Sequence, residues 1–166
     1  MFGSLARLAE EQAALIEPIL GRIVGYDEKF AAENGALWTD GVLLHGQNWD
    51  WRAECAETGV VLRIRRDDGP DILTFTEAGG LARSGLNAAG IGLTANALEC
   101  DRDYRRGPGV PLPFIRRKVL ESATLAQAVQ TIVATPKLGS NHMAVSQGQE
   151  AFGFECAPDE TFWLAP

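Results

Sequence analysis

Residues 60–76, VVLRIRRDDGPDILTFT, hold two strand-length runs hinged on Asp67-Asp68-Gly69-Pro70. In the first run apolar Val61 and Ile64 alternate loosely with Arg63 and Arg65, as a strand with one wetted face requires. The second run, residues 71–76, reads as the returning strand of a meander. Upstream, residues 41–50, GVLLHGQNWD, read as a strand that ends in a polar cluster. The stretch before it, residues 27–39, is mixed, and Asn34-Gly35 and Asp40-Gly41 read as turn dipeptides. Downstream, Gly79, Gly80, Gly85, Gly90 and Gly92 crowd one window, which indicates tight turns and close backbone approach rather than a helix. GLNAAG in that window lacks the strand-turn-helix setting and the Lys-Ser/Thr ending of a phosphate loop. Residues 90–98, GIGLTANAL, then read as a buried strand, followed by a charged and Gly/Pro-rich loop over residues 102–113.

Two helices are expected next. Residues 112–122 open with proline near the helix start, and residues 124–134 carry the capping pair Thr124 and Gln127 ahead of Ala128, Val129, Ile132 and Val133. Pro136 stops the second. Residues 141–146 and 151–156 read as two strands around the turn Gln147-Gly148-Gln149. At the N-terminus, Leu5, Leu8, Leu15, Ile16, Ile19, Leu20 and Ile23 form an apolar stripe, so residues 4–24 are expected to be an amphipathic helix kinked or divided at Pro18. Runs of strands and runs of helices give an α+β layered fold rather than regular βαβ units. Residues 1–40 read as a helical segment and irregular linker, and residues 41–166 as the α+β domain. The apolar end, Phe162-Trp163-Leu164-Ala165-Pro166, suggests packing onto a partner or further chain.

Composition narrows the function. The 166 residues hold 22 Asp and Glu against 15 Lys and Arg, a formal charge of -7 that offers no basic excess for nucleic acid. Cys55, Cys100 and Cys156 are too scattered for a disulfide framework, and with two histidines a metal site is poorly supplied. No apolar run reaches the roughly 18 residues a membrane span needs, and Glu10 and Glu11 stand where a signal peptide would be apolar. A reduced, cytoplasmic protein without metal, cofactor, nucleic-acid or membrane partner is the simplest reading.

The most distinctive word is Gln47-Asn48-Trp49-Asp50-Trp51, where amides and a carboxylate lie beside two flat indole walls. Such a set suits an amide-bearing or aromatic ligand; core tryptophans and a turn-capping Asp50 would explain it too. Glu77, at a strand end before Gly79-Gly80, either caps that turn or faces a pocket. Asn87 and Asn96 flank the glycine-rich segment, and each is either a bridge that locks the fold or a pocket ligand. His45 reads as a satisfied sheet histidine, and His142, at a strand start, is a weaker general-base candidate. None of the three thiols has an obvious local base to activate it.

An ordered series of words goes further. Gly46-Gln47-Asn48-Trp49-Asp50-Trp51, Thr76-Glu77-Ala78-Gly79, Gly85-Leu86-Asn87-Ala88-Ala89-Gly90-Ile91-Gly92 and Asn96-Ala97-Leu98 occur in that order. Gly109-Val110-Pro111, Arg116 or Arg117 with Leu120-Glu121-Ser122, Gln127-Ala128 and Glu150-Ala151-Phe152-Gly153-Phe154-Glu155 continue it. Over residues 41–158 this series resembles the acyl-coenzyme A:6-aminopenicillanic acid acyltransferase (isopenicillin N acyltransferase-like) family of N-terminal nucleophile hydrolases. The resemblance implies a partial αββα sandwich. It also implies acyl transfer or hydrolysis at a linear amide or thioester bond, including penicillin acyl transfer, by a cysteine freed through self-cleavage whose own α-amine is the base.

Carried across, the family's active-site aspartate falls on Asp50, with Asn48, Trp49, Trp51, Glu77, Asn87 and Asn96 as substrate-binding candidates. The nucleophilic cysteine is expected upstream of the strand that ends at Asp50, but residues 30–39, FAAENGALWT, contain none, and the first sheet strand looks lost or replaced. The family's catalytic asparagine belongs to a segment later than residue 166. The expectation is therefore a family member whose isolated chain is inactive. The alternatives are a non-catalytic small-molecule-binding or scaffold remnant and one subunit of a two-chain enzyme. The partners expected are an acyl amide or acyl thioester, and a second chain or a second copy of this one.

Overall fold

The computed structural model describes residues 34–39, 41–48, 52–105 and 107–164. The helix expected over residues 4–24, and Trp49, Asp50 and Trp51, lie outside the described residues. By its contacts the chain divides into two compact units, and all that follows concerns the second, Ala32–Pro166.

Seven antiparallel strands form one sheet in sequence order: β3 (Gly59–Ile64), β4 (Ile72–Glu77), β5 (Ser84–Asn87), β6 (Gly92–Ala97), β7 (Asn141–Gln147), β8 (Glu150–Cys156) and β9 (Thr161–Leu164). The meander is present, with Gly59 opposite Glu77 and Ile64 opposite Ile72. Two strands stand apart as a hairpin, β1 (Asn34–Thr39) and β2 (Val42–Gln47), in register from Asn34 opposite Gln47 to Thr39 opposite Val42.

Alternation along the strands sorts the sheet into two faces. Ile72, Leu93, Ala95, Met143, Val145, Phe154 and Cys156 join one buried cluster with Ile115, Val119 and Leu120 of α1 (Leu112–Leu120) and Leu125, Ala128 and Ile132 of α2 (Leu125–Ala134). The buried helical residues recur every three or four positions, the spacing that puts one stripe against a sheet. The opposite face, carrying Thr94, Asn96 and Ser146, lies under the hairpin, which rests on β6, β7 and β8. Helices, sheet and hairpin are thus three successive layers of an α+β sandwich.

The helix pair is held by side chains that satisfy its ends. Thr124 accepts from Gln127 N, and Gln127 Oε1 accepts from Ala123 N, so the expected capping pair forms. Gln147, at the end of β7, accepts from Leu125 N at 2.7 Å and donates to Ala89 O and Ala123 O. One amide thereby joins the start of α2 to the β5–β6 turn.

Three expectations are corrected. Asn34-Gly35 is not a turn: β1 runs through it, so strand structure begins before the boundary expected at residue 40, and the first strand thought lost is present. Pairing with β2 at six positions outweighs the local turn preference. Residues 84–87 form β5 although glycine density suggested turns alone, because Gly85 must pass close to its neighbour: a Cβ there would meet Leu73 O at 2.3 Å. Gly85→Ala is expected to cost about 2–3 kcal/mol in urea unfolding, whereas Gly46→Ala, with nothing within 4 Å, is expected to cost less than about 1 kcal/mol. Residues 161–164, read as an apolar tail, form edge strand β9 on β8, with Trp163 beside Phe152 at a ring separation of 6.3 Å.

Candidate functional site

β2 carries His45 and Gln47 down onto the sheet. His45 Nδ1 is 2.7 Å from Ser146 Oγ, and Nε2 is 2.9 Å from Thr94 Oγ1. Burial pushes its pKa down from 6.5 to about 4, so at neutral pH the ring is uncharged. A neutral imidazole donates from one nitrogen and accepts at the other, so one hydroxyl receives a hydrogen bond and the other gives one. Gln47 donates to Ala95 O at 2.8 Å and to Asn96 Oδ1, and its oxygen accepts from Ser84 Oγ. These two side chains are the polar seam between the hairpin and the sheet.

Beside the seam lies a cavity of about 450 Å³, a size that suits a small molecule. Its polar lining includes His45, Gln47, Arg83, Ser84 and Thr94, and Phe75 and Leu86 supply apolar wall. Arg83 is gripped by Glu77 through two bonds, Nε to Oε2 at 2.8 Å and Nη2 to Oε1 at 2.6 Å. That bond to Arg83 is the main cause holding the Glu77 carboxyl below its usual range. Behind the pair, Arg116 of α1 is 4% exposed and its Nε has no hydrogen-bond partner. Burial, and then the charge of Arg83, lower the Arg116 pKa to about 10. Among the described residues no group of three or more His, Cys, Asp or Glu could hold a metal ion.

The residues singled out from sequence fall in different places. Asn48 is exposed just past β2, outside the cavity lining. Glu77 does not line the cavity but fixes Arg83, which does. Asn96 receives Gln47 at the seam, and its backbone oxygen accepts from Asn141 Nδ2. Asn87 is corrected: it faces the helices, 2% exposed. Its Nδ2 donates to Leu120 O and Ser122 O at 2.9 and 2.7 Å, carbonyls at the end of α1, while Oδ1 accepts from Ala89 N and Ile91 N. All its hydrogen-bonding capacity is used inside the fold, so it is a bridge and not a pocket ligand. Sequence reading missed Arg83, Ser84 and Thr94; the signal for Arg83 was a lone cation six residues after Glu77 across the glycine turn.

The family model of acyl-coenzyme A:6-aminopenicillanic acid acyl-transferase matches residues 38–161, most of the chain and all of the sheet from β3 to β8. The chain belongs to that family. A relative within it, the acyl-coenzyme A:6-aminopenicillanic-acid-acyltransferase 40 kDa form of Emericella nidulans, is 33% identical over 116 residues, 69% of this chain. The chain spans 32% of that relative's length. Among solved structures, penicillin V acylase from Agrobacterium tumefaciens aligns over 63% of this chain and 39% of its own, with 17% identity and a TM-score of 0.48.

In this acyl-transferase family member none of the three cysteines lines the cavity. Cys55 sits in a short 3-10 turn, Ala53–Ala56. Cys100 Sγ donates to Asp103 Oδ1 at 3.4 Å. Cys156 is 2% exposed on the helix side, and burial raises its pKa, with nearby Lys137 only partly offsetting the effect. Cys156 is therefore expected to alkylate with iodoacetamide at pH 7.5 at least tenfold more slowly than Cys55, as read by peptide mass spectrometry. No helix among the described residues is long and apolar enough to cross a membrane.

Proposed function

We propose that this chain binds an acyl amide or acyl thioester in the cavity between hairpin and sheet, and that by itself it does not turn the ligand over. The reaction served is acyl transfer or hydrolysis at a linear amide or thioester bond. The observation that carries this reading is a family match over residues 38–161 joined to a cavity that no thiol lines. The hydroxyls present are poor substitutes. Ser84 is bonded to Gln47, and Thr94 faces an imidazole whose pKa near 4 makes it a weak base at neutral pH. Asp50, three residues beyond Gln47, is the carboxylate proposed to orient the reacting group, with Asn48, Trp49 and Trp51 as contacts to the ligand.

Calorimetric titration with phenylacetamide tests the binding. One-to-one saturable binding is expected, weakened at least tenfold by Leu86→Arg, a change at a wall residue already 54% exposed. Absence of binding by the unaltered chain contradicts the proposal.

A second reading, one subunit of a two-chain enzyme, is favoured by a specific feature. The hairpin rests on β6–β8, while Val61, Leu73 and Leu86 on the same face of β3–β5 are 65%, 42% and 54% exposed. A strand-bearing partner chain would cover them. Native mass spectrometry of the protein from its own cells tests this: a co-purifying chain that begins with cysteine supports it, and a lone 17.9 kDa species contradicts it.

A further inference from the structure

We propose that Arg83 is a carboxylate-binding group of the cavity, so that the acyl amide or thioester taken there carries a carboxylate. This inference rests on the ligand-binding reading above and narrows its ligand class.

Arg83 is the one formally charged residue in the cavity lining at neutral pH. The other polar side chains there are turned into the fold. Gln47 bonds Ala95, Asn96 and Ser84, and His45 sits between Ser146 and Thr94. Arg83 is also pre-oriented. Glu77 holds its Nε and Nη2 edge, and the two side chains are 25% and 18% exposed. A guanidinium fixed this way meets a carboxylate with little loss of side-chain freedom.

Arg116 is the independent observation. A guanidinium 4% exposed with an unpartnered Nε is costly where no anion is near, and Arg83 and Glu77 are the charges that act on it. Arg83 and Arg116 together set two positive charges against the single carboxylate of Glu77. A ligand carboxylate at Arg83 would restore balance there. Phe75 and Leu86 meanwhile offer apolar contact to an acyl chain. The cavity geometry fits a carboxylate on either the amine side or the acyl side of the amide.

Calorimetry on the full chain with three probes tests the proposal. Phenylacetylglycine carries its carboxylate on the amine side, N-benzylglutaramic acid carries it on the acyl side, and phenylacetylglycinamide is neutral. At least one anion is expected to bind tenfold or more tighter than the neutral amide, and which one does so identifies the side. Arg83→Gln is expected to reduce that preference to less than twofold, and Arg83→Lys to retain part of it. Comparison of the three probes on the unaltered chain needs no variant. Equal binding of all three overturns the carboxylate subsite and leaves the acyl-amide reading standing, whereas binding of none overturns both.

Discussion

Asn87→Ala is expected to lower the unfolding free energy by about 4 kcal/mol, the largest effect of any single side-chain truncation considered. The side chain is 2% exposed, and four backbone groups depend on it. Leu120 O and Ser122 O belong to the end of α1, where carbonyls lack intrahelical partners. Ala89 N and Ile91 N belong to the turn that leads into β6, where Gly90 takes φ +85. Removing the amide leaves these groups buried and unpaired, at about 1–3 kcal/mol each when no water can reach them. Urea unfolding measures the loss. A change below about 1 kcal/mol, accompanied by weakened binding of phenylacetamide, would instead make Asn87 a ligand contact and contradict its assignment as a bridge.

Acid sensitivity that begins above the carboxylate range is the second large effect. The folded-state pKa of His45 is about 4 against 6.5 when exposed, because burial disfavours the charged ring. Above pH 6.5 the ring is neutral in both states and costs nothing. As the pH falls from 6.5 toward 4, the unfolded chain takes up a proton that the folded chain resists, so stability falls, by up to about 3 kcal/mol. Glu77 has a carboxyl held low mainly by its bond to Arg83. Its stabilisation is present above the ordinary carboxylate pKa and is lost as the pH drops below that value. The two windows separate: decline between pH 6.5 and 5 belongs to His45. His45→Gln is expected to flatten the stability profile in that interval while leaving the decline below it. An unchanged slope between pH 6.5 and 5 would show that the imidazole is not buried neutral between Ser146 and Thr94.

Much of the sheet and both helices were legible because their signals are local. The Asp-Asp-Gly-Pro hinge marked β3 and β4, Thr124 and Gln127 marked the start of α2, and Gly148 marked the β7–β8 turn, where φ is +60. β1 and β9 were not legible, since each is a strand by virtue of its partner and carries no alternation of its own. The candidate site was only half legible. The word around Gln47 pointed to the right strand, yet Gln47 serves the seam, and the cavity's charged group, Arg83, comes from beyond a glycine turn. Glu77 and Asn87 were visible as unusual residues, but sequence has no means of telling which face of β4 or β5 meets the helices. That depends on register, which long-range pairing sets. Asn87 falls on the helix side because Ile72 stands opposite it and lies in the core.

The account's central claim is that this member of the acyl-transferase family holds its ligand without a covalent step of its own. Intact-protein mass spectrometry after incubation with a phenylacetyl thioester tests it most directly, under conditions where calorimetry shows the cavity saturated. The predicted result is the unmodified 17.9 kDa mass at every time point, with the thioester consumed no faster than in buffer. A species heavier by one phenylacetyl group, formed and then lost as free acid or acyl product accumulates, would contradict the claim and place a working nucleophile in this chain.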